Sequence, residues 1–146
     1  MKVAELFAGI GGFHYGVKAL NWPVVYANEN NPSAAKTYAL NHGMEVDTRS
    51  VMDVKGDDLP EYDCLVGGFP CQPFSQMNAI GEKREKHKSG NLFLEIVRLM
   101  KETRPKLVIL ENVKALTRID NAKIFQRIQQ ESVSYTHLTL PTILLV

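Results

Sequence analysis

Cysteine is scarce in this 146-residue chain, which carries only Cys64 and Cys71. Two are too few for a disulfide scaffold, and six intervening residues do not match the close pairs of a zinc site. A reduced compartment is therefore expected, with no metal site and with any special cysteine acting alone. An excess of charge of one sign is missing as well: 17 Lys plus Arg stand against 16 Asp plus Glu, a formal net charge of +1. That balance argues against a highly basic nucleic-acid-binding tail, and 45% hydrophobic with 23% charged residues argues against a wholly disordered chain. No run approaches the roughly 20 apolar residues that span a bilayer. The start, Met1-Lys2-Val3-Ala4-Glu5, meets an acid and then glycines before a signal-peptide core can form. The expectation is a cytoplasmic chain of one soluble domain, or part of one.

What is present is an alternation of short apolar runs with helical patterns, the signature of βαβ units and a mostly parallel sheet. Lys2 to Phe7 reads as a buried strand, Gly9, Gly11 and Gly12 as a tight turn, and Phe13 to Leu20 as a helix ending before Asn21 and Pro23. Val24 to Asn28 is the second strand. Asn31-Pro32 starts a helix, because Asn caps free amides and Pro at the first helical position loses no needed hydrogen bond, and Gly43 stops it. Val46 to Asp53 reads as a weaker strand and turn, and Tyr62 to Val66 as the next buried strand, ending at Gly67-Gly68. Gln76 to Gly90, with four basic residues against two acidic ones, reads as a mobile surface loop. Leu92, Phe93, Ile96, Val97 and Met100 recur at helical spacing, Pro105 blocks continuation, and Leu107 to Leu110 is an apolar strand ending at Glu111. A further helix is expected over Asn121 to Glu131. The last 14 residues, Val133 to Val146, contain no Asp, Glu, Lys or Arg. They read either as the next buried strand or, by their resemblance to translated adapter sequence, as a non-native tail. The tail is the preferred reading.

Three segments carry chemistry. Glu5-Leu6-Phe7-Ala8-Gly9-Ile10-Gly11-Gly12-Phe13 places glycines between strand and helix, where amides approach a ligand closely and the helix N-terminus receives an anion. A turn that merely permits tight packing is the plainer alternative. His14 stands where the dinucleotide fingerprint requires its third glycine. Glu29, 20 residues beyond Gly9, sits at the end of the second strand, where α/β cofactor folds place an acid for ribose hydroxyls. Asp53 is either an acceptor for an adenine amine or a solvated turn residue. Gly67-Gly68-Phe69-Pro70-Cys71-Gln72-Pro73-Phe74-Ser75 puts a cysteine on a proline-stiffened loop directly after a strand. Cys64, inside the strand, fits an inert small hydrophobe; Cys71, outside it, fits that reading poorly. Glu111-Asn112-Val113 emerges on the same rim of the sheet as Cys71, so a nucleophile and an acid face one substrate. Taken alone, Glu111 reads better as a capping or salt-bridged surface acid than as a catalytic one; its joint placement with Cys71 changes that.

In that order and spacing, the segments resemble the C5-cytosine DNA methyltransferase family over Lys2 to about Glu131, most specifically in Pro70-Cys71-Gln72 followed by Glu111-Asn112-Val113. The resemblance implies a Rossmann-like methyltransferase fold with S-adenosylmethionine as cofactor. By it, Phe7, Gly9 and Gly11 line the cofactor, Glu29 holds the ribose, Asp53 the adenine amine, and Pro70 and Leu92 the remaining walls. It also implies that Cys71 adds to C6 of a cytosine, activating C5, while Glu111 contacts N3 and the exocyclic amine. The substrate is then double-stranded DNA with the cytosine flipped out of the stack, and the loop Gln76 to Gly90 is placed to close over it. A restriction endonuclease of the same system is a candidate partner.

Departures from the family pattern matter as well. No Gln-Arg-x-Arg segment, target-recognition domain or final cofactor-completing segment occurs. Residues 1–132 are therefore expected to be the amino-terminal part of a catalytic domain, with an incomplete sheet and little turnover on its own, and 133–146 the tail. Rival readings are the same chemistry on tRNA, a nicotinamide-dependent oxidoreductase suggested by the glycine turn and Glu29, and a noncatalytic binding module.

Overall fold

The computed structural model describes residues 1–70, 92–113 and the isolated positions 126 and 130, together with the backbone of 142–145. Five strands form one sheet: β1 (Val3–Leu6), β2 (Val24–Asn28), β3 (Cys64–Gly68), β4 (Leu107–Glu111) and β5 (Thr142–Leu145). All neighbours are parallel, in the order β2-β1-β3-β4-β5. Helices α1 (Gly12–Lys18), α2 (Pro32–His42) and α3 (Leu92–Thr103) connect them.

Alternation along β1 decides what each face buries, because successive strand side chains point to opposite sides. Ala4 and Leu6 join Leu65, Val108 and Leu110 under α3, whose Phe93, Ile96, Val97 and Met100 supply the covering stripe. Val3 joins Cys64, Val66 and Val17 of α1 on the opposite face. Tyr38 of α2 packs with Ala8 and Ala27. Helices thus cover both faces, as a parallel sheet requires, and the strands read as continuous apolar runs because both of their faces are buried.

The helix boundaries follow the capping chemistry. Asn31 accepts hydrogen bonds from the Ser33 and Ala34 amides at 3.0 and 3.2 Å, Pro32 opens α2, and Gly43 closes it at φ +63°. Arg98 ties α3 to the segment before β3, donating to the Val51 and Val54 carbonyls at 3.2 and 2.7 Å.

The expected strand within 46–53 is not formed. One bridge links Asp47 to Asn28, and a 3-10 turn follows at Val51–Asp53. Asp47 keeps its ladder bonds, donating to the Ala27 carbonyl at 2.9 Å and accepting from the Glu29 amide at 3.0 Å. The pairing stops beyond it, where the buried Asn28 side chain donates from Nδ2 to the Arg49 carbonyl at 2.9 Å and the Asn31 amide donates to Glu29 Oε1 instead. The expected loop 76–90 and helix 121–131 lie outside the described residues, apart from helical backbone at 126 and 130. Residues 142–145 pair with β4 in parallel register, Leu107 opposite Thr142.

The chain runs from β1 to β2 on one side and then crosses to β3 on the other side of β1. The carboxyl ends of β1 and β3 therefore flank the topological switch point, where open α/β sheets hold their ligands.

Candidate active site

At that switch point the backbone leaves β1 abruptly. Phe7 adopts φ +53°, a left-handed conformation costly for a residue with a Cβ, and Gly9 and Gly11 follow at +56° and +96°. The two glycines differ in their surroundings. A Cβ on Gly9 would meet nothing within 4 Å, whereas one on Gly11 would fall 2.0 Å from Nε2 of His42. Gly11 is needed for packing as well as for backbone shape.

Glu29, at the end of β2, braces this turn. Its Oε2 accepts from the Gly9 amide at 2.9 Å and its Oε1 from the Asn31 amide at 2.8 Å. An ionised carboxylate has about four acceptor positions, so acceptor capacity remains after both bonds.

The opposite wall comes from β3 and β4. Gly68 lies in register with Glu111, and a Cβ added there would sit 3.1 Å from Glu111 Oε2 and 3.9 Å from the Phe13 ring. Glycine therefore lets the acid lie over the end of β3. Asn112 donates from Nδ2 to the Phe69 carbonyl at 2.8 Å, fixing the strand end after β4 to the one after β3. Phe7, Ala8, Gly12, Phe13, Gly16, Gly68 and Glu111 line an open cavity of about 430 Å³. Aromatic rings, a glycine-lined backbone and one carboxylate suit a flat heterocycle with polar edges.

The predicted residues divide accordingly. Phe7 and Glu111 line the cavity, and Gly9 and Gly11 shape the turn beside it. Glu29 reaches that turn through one hydrogen bond. Leu92 packs with Phe7 against the core under α3. Pro70 is exposed at the end of the β3 connection, and Asp53 is exposed and does not line the cavity. Cys71 lies outside the described residues. Cys64 is fully buried and its thiol is pushed up to about 11 by desolvation, the inert behaviour expected of it.

A second group went unread in the sequence. Glu5, on the α1 and α2 face of β1, is completely buried, and burial pushes its carboxyl up to about 7. Its Oε2 accepts from the Tyr38 hydroxyl at 2.9 Å, and that hydroxyl lies 2.8 Å from His14 Nδ1. His14 stacks on His42 with ring centroids 3.9 Å apart. The available signal was an acid inside an otherwise apolar strand.

A parallel α/β sheet with a glycine turn and an acid-bearing strand end at its switch point defines the Rossmann-like architecture of nucleoside-cofactor enzymes. The structure resembles the S. pombe Dnmt2 methyltransferase, with a TM-score of 0.71 and 26% identity over 89% of this chain and 41% of that one. The chain belongs to the C-5 cytosine-specific DNA methylase family, whose pattern matches residues 1–136. Among curated relatives, it is 37% identical over 133 residues to the Type II methyltransferase M.Bsp6I of a Bacillus species, covering 89% of this chain and 41% of that protein. It is 42% identical over 132 residues to M1.ScrFI of Lactococcus lactis subsp. cremoris, covering 87% and 32%. The chain spans less than half the length of these relatives. Nothing in the comparisons favours the oxidoreductase reading of the glycine turn.

Proposed function

We propose that this chain supplies the cofactor and catalytic half of an enzyme that methylates C5 of cytosine in DNA. The observation that carries the reading is the placement of Glu111 over Gly68, across one cavity from the glycine turn. Three residues after Gly68 in the sequence comes Cys71, within the family's Pro-Cys-Gln motif. S-adenosylmethionine fits the residues present: Phe7 and Phe13 give aromatic walls, the Gly9 to Gly12 backbone permits close approach, and Glu29 keeps acceptor capacity for ribose hydroxyls. Pro70 and Leu92 extend the walls, and Asp53 is proposed as the acceptor for the adenine amine. When bound, it supplies an electrophilic methyl group.

The chain's own residues do the rest. Cytosine C5 is a poor nucleophile until the Cys71 thiolate adds to C6 and turns the ring into an enamine. Glu111, contacting N3 and the exocyclic amine, supplies the proton that neutralises charge as the thiolate adds. Once C5 carries its methyl group, loss of the C5 proton and expulsion of the Cys71 thiolate restore the aromatic ring. A base inside a duplex cannot present C6 to a thiol, so the cytosine must leave the stack. Residues 1–132 are assigned to the amino-terminal part of the catalytic domain and 133–146 to a non-native tail, whose residues 142–145 pair with β4 at the edge of the sheet. Because the chain spans less than half of its relatives, low turnover is expected from the 146 residues alone.

The test is methyl incorporation by the chain and by the longest reading frame that contains it, with duplex DNA and tRNA as alternative acceptors and mass spectrometry of the digested product. 5-Methylcytosine in DNA supports the proposal. Methylation confined to tRNA moves the same chemistry to RNA, and no methylated base from either acceptor removes the reading.

A further inference from the structure

Helix α1 begins without a side-chain cap, since its N-cap residue is Gly11. The buried Glu5 carboxyl on β1 is linked to the first turn of α1 through side chains, Tyr38 Oη lying 2.9 Å from Glu5 Oε2 and 2.8 Å from His14 Nδ1. Burial raises the Glu5 carboxyl, while the Tyr38 hydroxyl and then the His14 and Phe13 amides favour its ionised form. Among the described side chains, Tyr38 is the one that hydrogen-bonds this carboxyl, and Oε1 has no partner. Burial and the nearby Glu5 hold the Tyr38 phenol far above its ordinary range. It therefore remains a hydroxyl with one proton to donate.

That single proton makes the chain Glu5–Tyr38–His14 directional. With Glu5 ionised, Tyr38 donates to Glu5 and its oxygen accepts from His14, which must carry its hydrogen on Nδ1. With Glu5 protonated, Glu5 donates to Tyr38, Tyr38 donates to His14 Nδ1, and a neutral His14 ring must carry its hydrogen on Nε2. The groups around this chain are the Phe13 and His14 amides on α1, Tyr38 and His42 on α2, and Lys18 at the far end of α1; burial first, then His42 and Lys18, disfavour a charged His14.

We propose that Glu5 is a positioning residue for the glycine turn, acting through Tyr38 on His14 to hold the first turn of α1, and that its protonation sets which ring nitrogen of His14 carries the hydrogen. The consequence for cofactor binding rests on the proposed function above; the link from Glu5 to His14 does not.

The experiment pairs two readouts, the first on the 146-residue chain and the second on the longest reading frame that contains it. Nitrogen-15 NMR of the His14 ring follows its tautomer with pH, and calorimetry with S-adenosylhomocysteine reads the site that Gly9 and Gly11 shape. In the wild type, the Nε2–H form should give way to the Nδ1–H form as pH rises through about 7. Tyr38→Phe should abolish that change and weaken S-adenosylhomocysteine binding about three- to tenfold, the range for one lost hydrogen bond. Glu5→Gln, which keeps an acceptor for Tyr38, should lose the pH-dependent change but less of the affinity than Glu5→Leu. A wild-type tautomer course in Tyr38→Phe, with unchanged affinity, overturns the inference. A wild type that shows the tautomer change yet never binds S-adenosylhomocysteine overturns the cofactor reading and supports the link from Glu5 to His14.

Discussion

The two halves of the sheet's carboxyl rim are built differently. On the β1 and β2 side, Gly9, Asn31, Glu29, Glu5, Tyr38 and His14 are joined by hydrogen bonds between residues up to 33 positions apart. On the β3 and β4 side, Asn112 holds the Phe69 carbonyl and Glu111 stands exposed at the cavity. One half fixes a shape, and the other presents a reactive group. Under the proposed function, cofactor geometry would depend on the first, and proton transfer to a substrate ring would require the second to stay accessible.

Substitutions can break this division of labour, and the largest effect belongs to the presenting half. Glu111→Ala should reduce methyl transfer by about 100-fold or more in the longest reading frame. Its thermal stability should stay nearly unchanged because the side chain is exposed. A comparable loss of stability would place Glu111 in the scaffold instead.

The shape-fixing half should respond in stability. The Glu5 carboxyl is raised from 4.5 to about 7, so the folded state retains a proton that the unfolded chain releases. The associated stability is fully present below pH 4.5 and is lost as pH rises through about 7, a decline on the order of 3 kcal/mol. Urea titrations across this window should show the decline in the wild type and a flatter profile in Glu5→Gln.

Gly11→Ala comes next. Its φ of +96° and the 2.0 Å approach to His42 should together cost about 2 kcal/mol in denaturation, against about 1 kcal/mol for Gly9→Ala, where only the backbone resists. Equal losses would mean that His42 yields freely. The smallest effect is expected from Asn112→Ala, which removes one hydrogen bond to the Phe69 carbonyl and should lower stability by about 1 kcal/mol. Because Phe69 stands two residues before Cys71, a larger effect on methyl transfer than on stability would mark Asn112 as a positioning residue.

Local chemistry made some of this legible in the sequence. Asn31, Pro32 and Gly43 bound α2 where capping rules put them, and the apolar run at 107–110 became β4 with Glu111 at its end. The strand expected within 46–53 stops after one bridge at Asp47, because the side chain of Asn28, distant in sequence, takes the Arg49 carbonyl and a 3-10 turn follows at Val51–Asp53. Glu5 escaped notice for a similar reason. Its role depends on Tyr38 and His14 arriving from two helices, and periodicity counts apolar positions without pairing an acid to a distant hydroxyl. Glu29 was found by its position after β2, but its bonds to the Gly9 and Asn31 amides were not legible.

The most direct test of the central claim is covalent trapping on duplex DNA containing 5-fluorocytosine, with S-adenosylmethionine present and Cys71→Ser as control. Fluorine at C5 cannot leave as a proton does, so the thiol adduct persists. A stable protein–DNA adduct is expected, mapped by peptide mass spectrometry to Cys71 and lost in Cys71→Ser. An adduct that survives Cys71→Ser, or methylation of ordinary cytosine by that variant, would contradict that claim.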